Sequence, residues 1–237
     1  MSKLNEFTIS ADPRNVDACD RRRYAMMVNM GSDGRRTLPD RETPVDRGGR
    51  PASTSAHELA AQAQRLFVEN GFDRTSVEDI AATVGVSRRT FFRYFPTKAD
   101  VIWVESEAEH ALFEQLLDHS PSHQSPWAAI TAAYIATLDH GRAEDDWARH
   151  RARLILYEPA VQPQANQVVR RWRTTVTRFV ANRRGCDVED VAARAAGHAA
   201  IAASIAAHEH WLVHPELSIA ECMRTLFDAL APRGLEP

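Results

Sequence analysis

Arg88, Arg89 and Arg93 fall within six residues of one another, in the stretch Ser87-Arg-Arg-Thr-Phe-Phe-Arg-Tyr-Phe95. A guanidinium can fork onto O6 and N7 of a guanine or onto a phosphate, and the hydroxyls of Ser87, Thr90 and Tyr94 suit phosphate oxygens. Phe91 and Phe95, four apart, share one side of a helix and can pin it to its neighbours, leaving the arginines and Tyr94 on other faces. The chemistry that suits these types at this spacing is contact with the bases and backbone of double-stranded DNA. Three arginines alone would equally make a solvated basic face, so the case rests on what surrounds them.

What surrounds them is a set of helix punctuation marks. Ser76 and Asp79 have the spacing of a capping box, and Val77, Ile80, Ala81 and Val84 then recur on one face at about 3.6 residues per turn. Gly85 can take positive φ and end that helix, Val86 closes the turn, and Ser87 can cap the arginine-bearing helix, which Pro96 stops. Thr97 and Asp100 form another capping box, and Thr75, Ser76, Thr97 and Lys98 join the expected backbone-contacting set. Upstream, Ser55 and Glu58 predict the start of a first helix with Leu59, Ala63, Leu66 and Phe67 inward. Gly71 should end it, with Phe72 folding back on the last turn. The pattern predicts a three-helix helix-turn-helix domain over residues 47–98, its final helix suited to a major groove.

Residues 99–237 read as a helical bundle, so the fold class expected is all-α; no strand signal, tandem repeat or glycine-rich phosphate loop is found. One long helix is expected from Thr97 to about His119, then one from Trp127 to near Gly141 and one from about Ala143 through Tyr157. A helix ending at Gly185, an alanine-rich helix reaching Trp211 and a last amphipathic helix after Pro215 complete the set. Trp103, Trp127, Tyr134, Trp147 and Trp172 can wall an apolar ligand cavity or serve as ordinary core. Arg151 belongs to an arginine cluster on one predicted helix, and a buried guanidinium requires an anion. Glu158, Asp145, or a ligand's carboxylate or phosphate could supply it.

Ala199, Ala203 and Ala206, with Leu226 and Phe227, allow close helix packing, against a second subunit or within one. His210 and His214 are four apart, but His-Glu-His at 208–210 lacks the order of zinc proteases, so no metal is expected. With no nucleophile elbow or motif-borne acid–base pair, neither catalysis nor a cofactor is expected.

The chain has 237 residues, 44% hydrophobic, and a formal charge of −3 that would not by itself suggest nucleic acid. Its distribution does: residues 1–46 sum to zero, 47–98 to +3 and 99–237 to −6, which turns the positive part toward phosphates. Three widely spaced cysteines, and no apolar run of signal-peptide or membrane-span kind, fit a reducing cytoplasm and no membrane. Residues 1–46 show no apolar period and are expected to be a disordered extension; Met26, Met27 and Met30 allow an internal start.

Gly85, Ser87, Thr90, Tyr94, Phe95, Thr97 and Lys98 match a glycine turn, a Ser-capped helix with Thr, then Tyr-Phe-x-Ser/Thr-Lys. At these residues the chain resembles the TetR family of bacterial transcriptional regulators, over His57–Val104. Phe92 stands where many members carry a tyrosine, and its ring has no hydroxyl to donate to a phosphate. The resemblance implies a ligand-released repressor and a homodimer built on the last two helices. It also implies that Arg47 and Arg50 form a minor-groove arm, although an ordinary linker fits them equally. The run Ser87–Trp103 is similar to the actinobacterial subgroup that includes the mycofactocin-system regulator, implying a long-chain acyl-CoA effector. The rival reading is a helical ligand-binding protein or enzyme with incidental basic helices.

Overall fold

Ser55 Oγ accepts from the amide of Glu58 at 3.1 Å and starts α1 (Ala56–Asn70), as the sequence predicts. Past Gly71, whose φ of +93° suits a residue without Cβ, Phe72 folds back onto Phe67 with ring centroids 4.7 Å apart. The box ahead of α2 (Val77–Thr83) is complete: the Ser76 amide donates to Asp79 Oδ2 at 2.9 Å and the Asp79 amide to Ser76 Oγ at 3.1 Å. Gly85 turns at φ +68° while the Val86 amide reaches the Ala81 carbonyl, and α3 (Arg88–Tyr94) begins under its Ser87 cap. Leu59, Phe67, Ile80, Phe91 and Phe95 bury together, and this core runs past residue 98 to take in Val101, Ile102, Leu154 and Val161. The computed structural model describes residues 55–232, 234 and 235; the expected extension over 1–46, with Arg47 and Arg50, lies outside them.

The single helix expected from Thr97 to His119 is corrected. The chain instead makes a 3-10 turn, Lys98–Trp103, then breaks before α4 (Ser106–Asp118). In an unbroken α-helix the carbonyls of Val101 and Ile102 would accept from amides four residues on. Here they accept from side chains of other helices, Gln64 Nε2 at 2.7 Å and Arg151 Nε at 3.0 Å. The joint between the two cores is thus tied from both sides.

The remaining helices are α5 (Pro126–Leu138), α6 (Asp145–Tyr157), α7 (Gln162–Arg184), α8 (Val191–Val213) and α9 (Ile219–Ala229), with no strand among the described residues. Their core gathers Phe113, Trp127, Tyr134, Trp172, Trp211 and Phe227 with the inward alanines of α8. None of these helices is long and apolar enough to cross a membrane.

Gly197 sets how closely α8 lies on α7. A Cβ there would meet Thr177 Oγ1 at 2.2 Å and the Arg173 carbonyl at 3.0 Å. Gly197→Ala should therefore lower stability by about 1 kcal/mol or more, since overpacking outweighs the ~1 kcal/mol gained in helix propensity. Chemical denaturation checks this, and adding Thr177→Ala should recover most of the loss. A Gly197→Ala protein more stable than the parent would show that the helices can part freely.

Candidate functional site

On α3, Phe91 is fully buried and holds the helix to α1 and α2, so Arg88, Arg89 and Arg93 face water. Arg88 lies 3.1 Å from Glu78 and over the Phe92 ring, and Arg93 donates to Tyr94 Oη at 3.3 Å. Such exposed contacts are weak and easily exchanged for a phosphate or a base. Arg89 has no protein partner among the described residues. The hydroxyls of Ser87 and Thr90 lie 2.9 Å apart at the helix start.

Two residues of the expected backbone-contacting set are used internally, and these are corrections. Thr75 is buried, its hydroxyl donating to the carbonyls of Gly71 and Leu66. Lys98 Nζ donates to the carbonyls of Phe72 and Thr75 at 2.7 and 3.2 Å and sits 4.3 Å from the Phe72 ring centroid. The lysine staples the corner between α1 and α2 rather than reaching outward. Ser76 and Thr97 remain exposed, but their hydroxyls donate to Asp79 and Asp100 within their capping boxes. The bonds from Ser76 hold the Asp79 carboxyl below its usual range.

A cavity of about 150 Å³ opens between α4 and α8, lined among others by Trp103, Tyr134, Arg151, Trp172, His208 and Trp211. Four of the six expected ligand-contacting residues are thereby brought together. Trp127 and Trp147 are not. Trp127 donates its ring N–H to the Phe227 carbonyl at 2.9 Å and fills the core beneath α9. Trp147 is wedged between the rings of His57 and His140, with centroids at 4.7 and 4.9 Å. Arg149, from the same arginine cluster, caps α8 through the carbonyl of Trp211.

The anion that Arg151 requires is neither Glu158 nor Asp145 but Glu109, forty-two residues away in the chain. Two parallel bonds join them, the Nη2–Oε2 bond at 2.7 Å, with both side chains buried. Burial works against ionising Glu109, yet the guanidinium outweighs it and holds the carboxyl far below the usual range. His140 Nε2 lies 3.3 Å from the same carboxylate, and the Arg151 guanidinium stands over the Trp147 ring. On the other side of Trp147, His57 of α1 bridges Glu105 at 2.7 Å and Glu144 at 3.3 Å.

This network joins the cavity wall to the arginine-bearing head, and of its members only Arg151 and Trp147 stood out in the sequence. The spacing of Glu105 and Glu109, four apart on one side of a helix start, was the available signal. Oxygens of Glu105 and Glu109 and a nitrogen of His140 lie within 4.8 Å of one another, a spacing a metal could use. Arg151 already occupies both oxygens of Glu109, and its charge opposes a second cation there. The group reads as ion pairs.

The hydrogen bond to Glu105, most of all, raises the His57 pKa above its ordinary 6.5. Its contribution is therefore full below 6.5 and is lost as pH rises through the raised folded value. The melting temperature of the parent should exceed that of His57→Gln most at acid pH, the gap closing as pH rises toward alkaline. A gap that widens with pH would show that His57 acts as the neutral ring.

Of the residues expected at a subunit interface, Ala203 and Phe227 are 0% exposed inside one chain, a correction. Both lie within the bundle core with Trp127, Tyr134 and Trp172. Ala199, Ala206 and Leu226 are partly exposed on the outer side of α8 and α9.

Two family models match the chain: "Bacterial regulatory proteins, tetR family" over residues 59–102 and "MftR C-terminal domain" over 124–234. A mycofactocin biosynthesis transcriptional regulator, MftR, of Mycobacterium tuberculosis is 32% identical over 184 residues, 78% of this chain and 93% of the relative. The solved SmeT–triclosan complex shares the fold at TM-score 0.56 and 20% identity, covering 77% of this chain and 94% of that one. Thermus thermophilus FadR, a repressor solved with lauroyl-CoA, does so at 0.51 and 20%, covering 76% and 96%. With its helix-turn-helix head, helical bundle and these relatives, the chain belongs to the TetR family of bacterial transcriptional regulators, which bind DNA and are not enzymes.

Proposed function

We propose that the protein is a cytoplasmic, homodimeric repressor that binds a palindromic operator and is released by an apolar effector held in the bundle cavity. The observation that carries this reading is the continuous path from cavity to head: Arg151 and His140 on the cavity wall, Trp147 packed on both, and His57 of α1 against Trp147. Ligand pockets usually measure ~300–1,000 Å³, so an effector larger than the present cavity must part its walls. A ligand that prefers the wider arrangement shifts the population toward it, and α1 follows Trp147. Two heads spaced for half-sites ~34 Å apart would then no longer meet both at once.

Dimerisation through the outer side of α8 and α9, at Ala199, Ala206 and Leu226, supplies the second head. One recognition helix alone reads too few base pairs for useful specificity. The neighbours solved with lauroyl-CoA and with triclosan support an apolar effector. An acyl-CoA would place its chain among Trp103, Tyr134 and Trp172.

Selection of bound fragments from genomic DNA, followed by gel shifts at fixed salt, tests the proposal. The expected result is a palindromic fragment bound by a dimer and released by ligands that also raise the melting temperature. A monomer at micromolar concentration with no preference among duplexes would overturn it.

A further inference from the structure

We infer that the effector carries an uncharged hydrogen-bond acceptor, such as a ketone, ester or thioester carbonyl, on an apolar body, and that free carboxylates are excluded from the cavity. The inference rests on the reading of this cavity as the effector site.

Three buried polar atoms on residues of the lining carry it. Tyr134 Oη, Trp211 Nε1 and Trp103 Nε1 are buried and have no hydrogen-bond partner among the described residues. Tyr134 and Trp211 are each 1% exposed, so bulk water does not serve them. An indole N–H only donates, and a buried donor is normally paired, so the complementary group on a ligand is an acceptor. Burial pushes the Tyr134 hydroxyl far above its usual range, so it too remains protonated and able to donate.

The charge of the acceptor follows from the other polar groups of the wall. Arg151 is the only lysine or arginine lining the cavity among the described residues, and Glu109 takes its guanidinium through two bonds while the Ile102 carbonyl takes Nε. His208 is kept neutral mainly by burial, and its Nδ1–H donates to the Ser204 carbonyl at 2.8 Å, which leaves Nε2 without a proton. The remaining titratable liner, His140, faces the same Glu109. A carboxylate entering here meets no uncompensated cation and must compete with Glu109 for Arg151. As the walls part for an effector, a neutral carbonyl can pair with these N–H and O–H donors and pays no ionic desolvation.

The test uses the full chain at neutral pH with a medium-chain methyl ketone, the carboxylate and the alkane of matched length, and the matching acyl-CoA. Tryptophan quenching and thermal shift give the affinities. The ketone should bind about tenfold or more tighter than either the alkane or the carboxylate. Tyr134→Phe should narrow its advantage over the alkane while leaving the alkane's own affinity in place. An acyl-CoA that matches the ketone would trace the acceptor to a thioester, and a ketone that binds alone would trace it to a free ketone or ester. A carboxylate binding as tightly as the ketone overturns the inference and leaves the effector site standing. So does an alkane that equals the ketone. If none of the four binds, the inference and the effector-site reading fall together.

Discussion

Arg151→Met alone should cost about 3–5 kcal/mol of stability, and Glu109→Met alone a similar amount. Each single change leaves one charge buried with its partner gone, and that unpaired charge cannot reach water from the cavity wall. For a chain of this size the loss corresponds to a fall of roughly 6–20 °C in melting temperature. The double variant Arg151→Met/Glu109→Met should recover most of it, because a buried ion pair exchanged for apolar groups of similar volume is often close to neutral. Thermal denaturation of the four proteins at one pH makes the comparison. A loss in the double variant equal to the sum of the two single losses would show that the pair interacts little and that the cost is one of packing alone.

The same double variant separates stability from coupling. Arg151 touches the Ile102 carbonyl at the joint and the Trp147 ring on the way to His57. If the network transmits the effector's presence, the stable double variant should bind DNA and ligand yet release DNA poorly when ligand is added. Glu109 stays ionised well below the usual carboxylate range, so its contribution is present at pH above about 4.5 and is lost only as pH falls through the folded value. Coupling through this pair is therefore insensitive to pH near neutrality, whereas the His57 contact at the far end is not.

The head was legible because its signals are local. Ser76 with Asp79, Gly85 and Ser87 state where helices begin and end within a few residues, and each behaves as its type requires. Thr75 and Lys98 misled because a hydroxyl or ammonium near a helix start suits phosphate equally well. The partners of Lys98, the carbonyls of Phe72 and Thr75, lie 26 and 23 residues earlier, and Thr75 turns back onto the carbonyls of Gly71 and Leu66 in the same corner. The break after Trp103 was hidden for the same reason: the groups that claim the Val101 and Ile102 carbonyls sit on α1 and α6. The bundle showed its helices by periodicity but not which aromatic faces the cavity. Trp127 and Tyr134 lie on the same helix and both pack on the Phe227 ring, yet only Tyr134 belongs to the cavity wall.

Arg89→Ala should weaken operator binding by about 1–3 kcal/mol per half-site, so roughly 2–6 kcal/mol for a dimer engaging two. Arg89 is the α3 arginine without a partner among the described residues, so its removal breaks no contact described in the folded head and the change belongs to the complex. Arg88 differs, since its pairing with Glu78 and its place over Phe92 must be given up before it can bind elsewhere. Arg88→Ala should therefore cost less than Arg89→Ala. Binding measured across a set of single-base operator variants then divides the roles. If Arg89 reads a guanine, the loss concentrates at one symmetric pair of positions, where discrimination relaxes. If it holds a phosphate, affinity drops uniformly and the salt dependence becomes shallower by about one ion per half-site. An unchanged affinity on every sequence would mean that α3 does not face the duplex, and the repressor reading would lose its reading head.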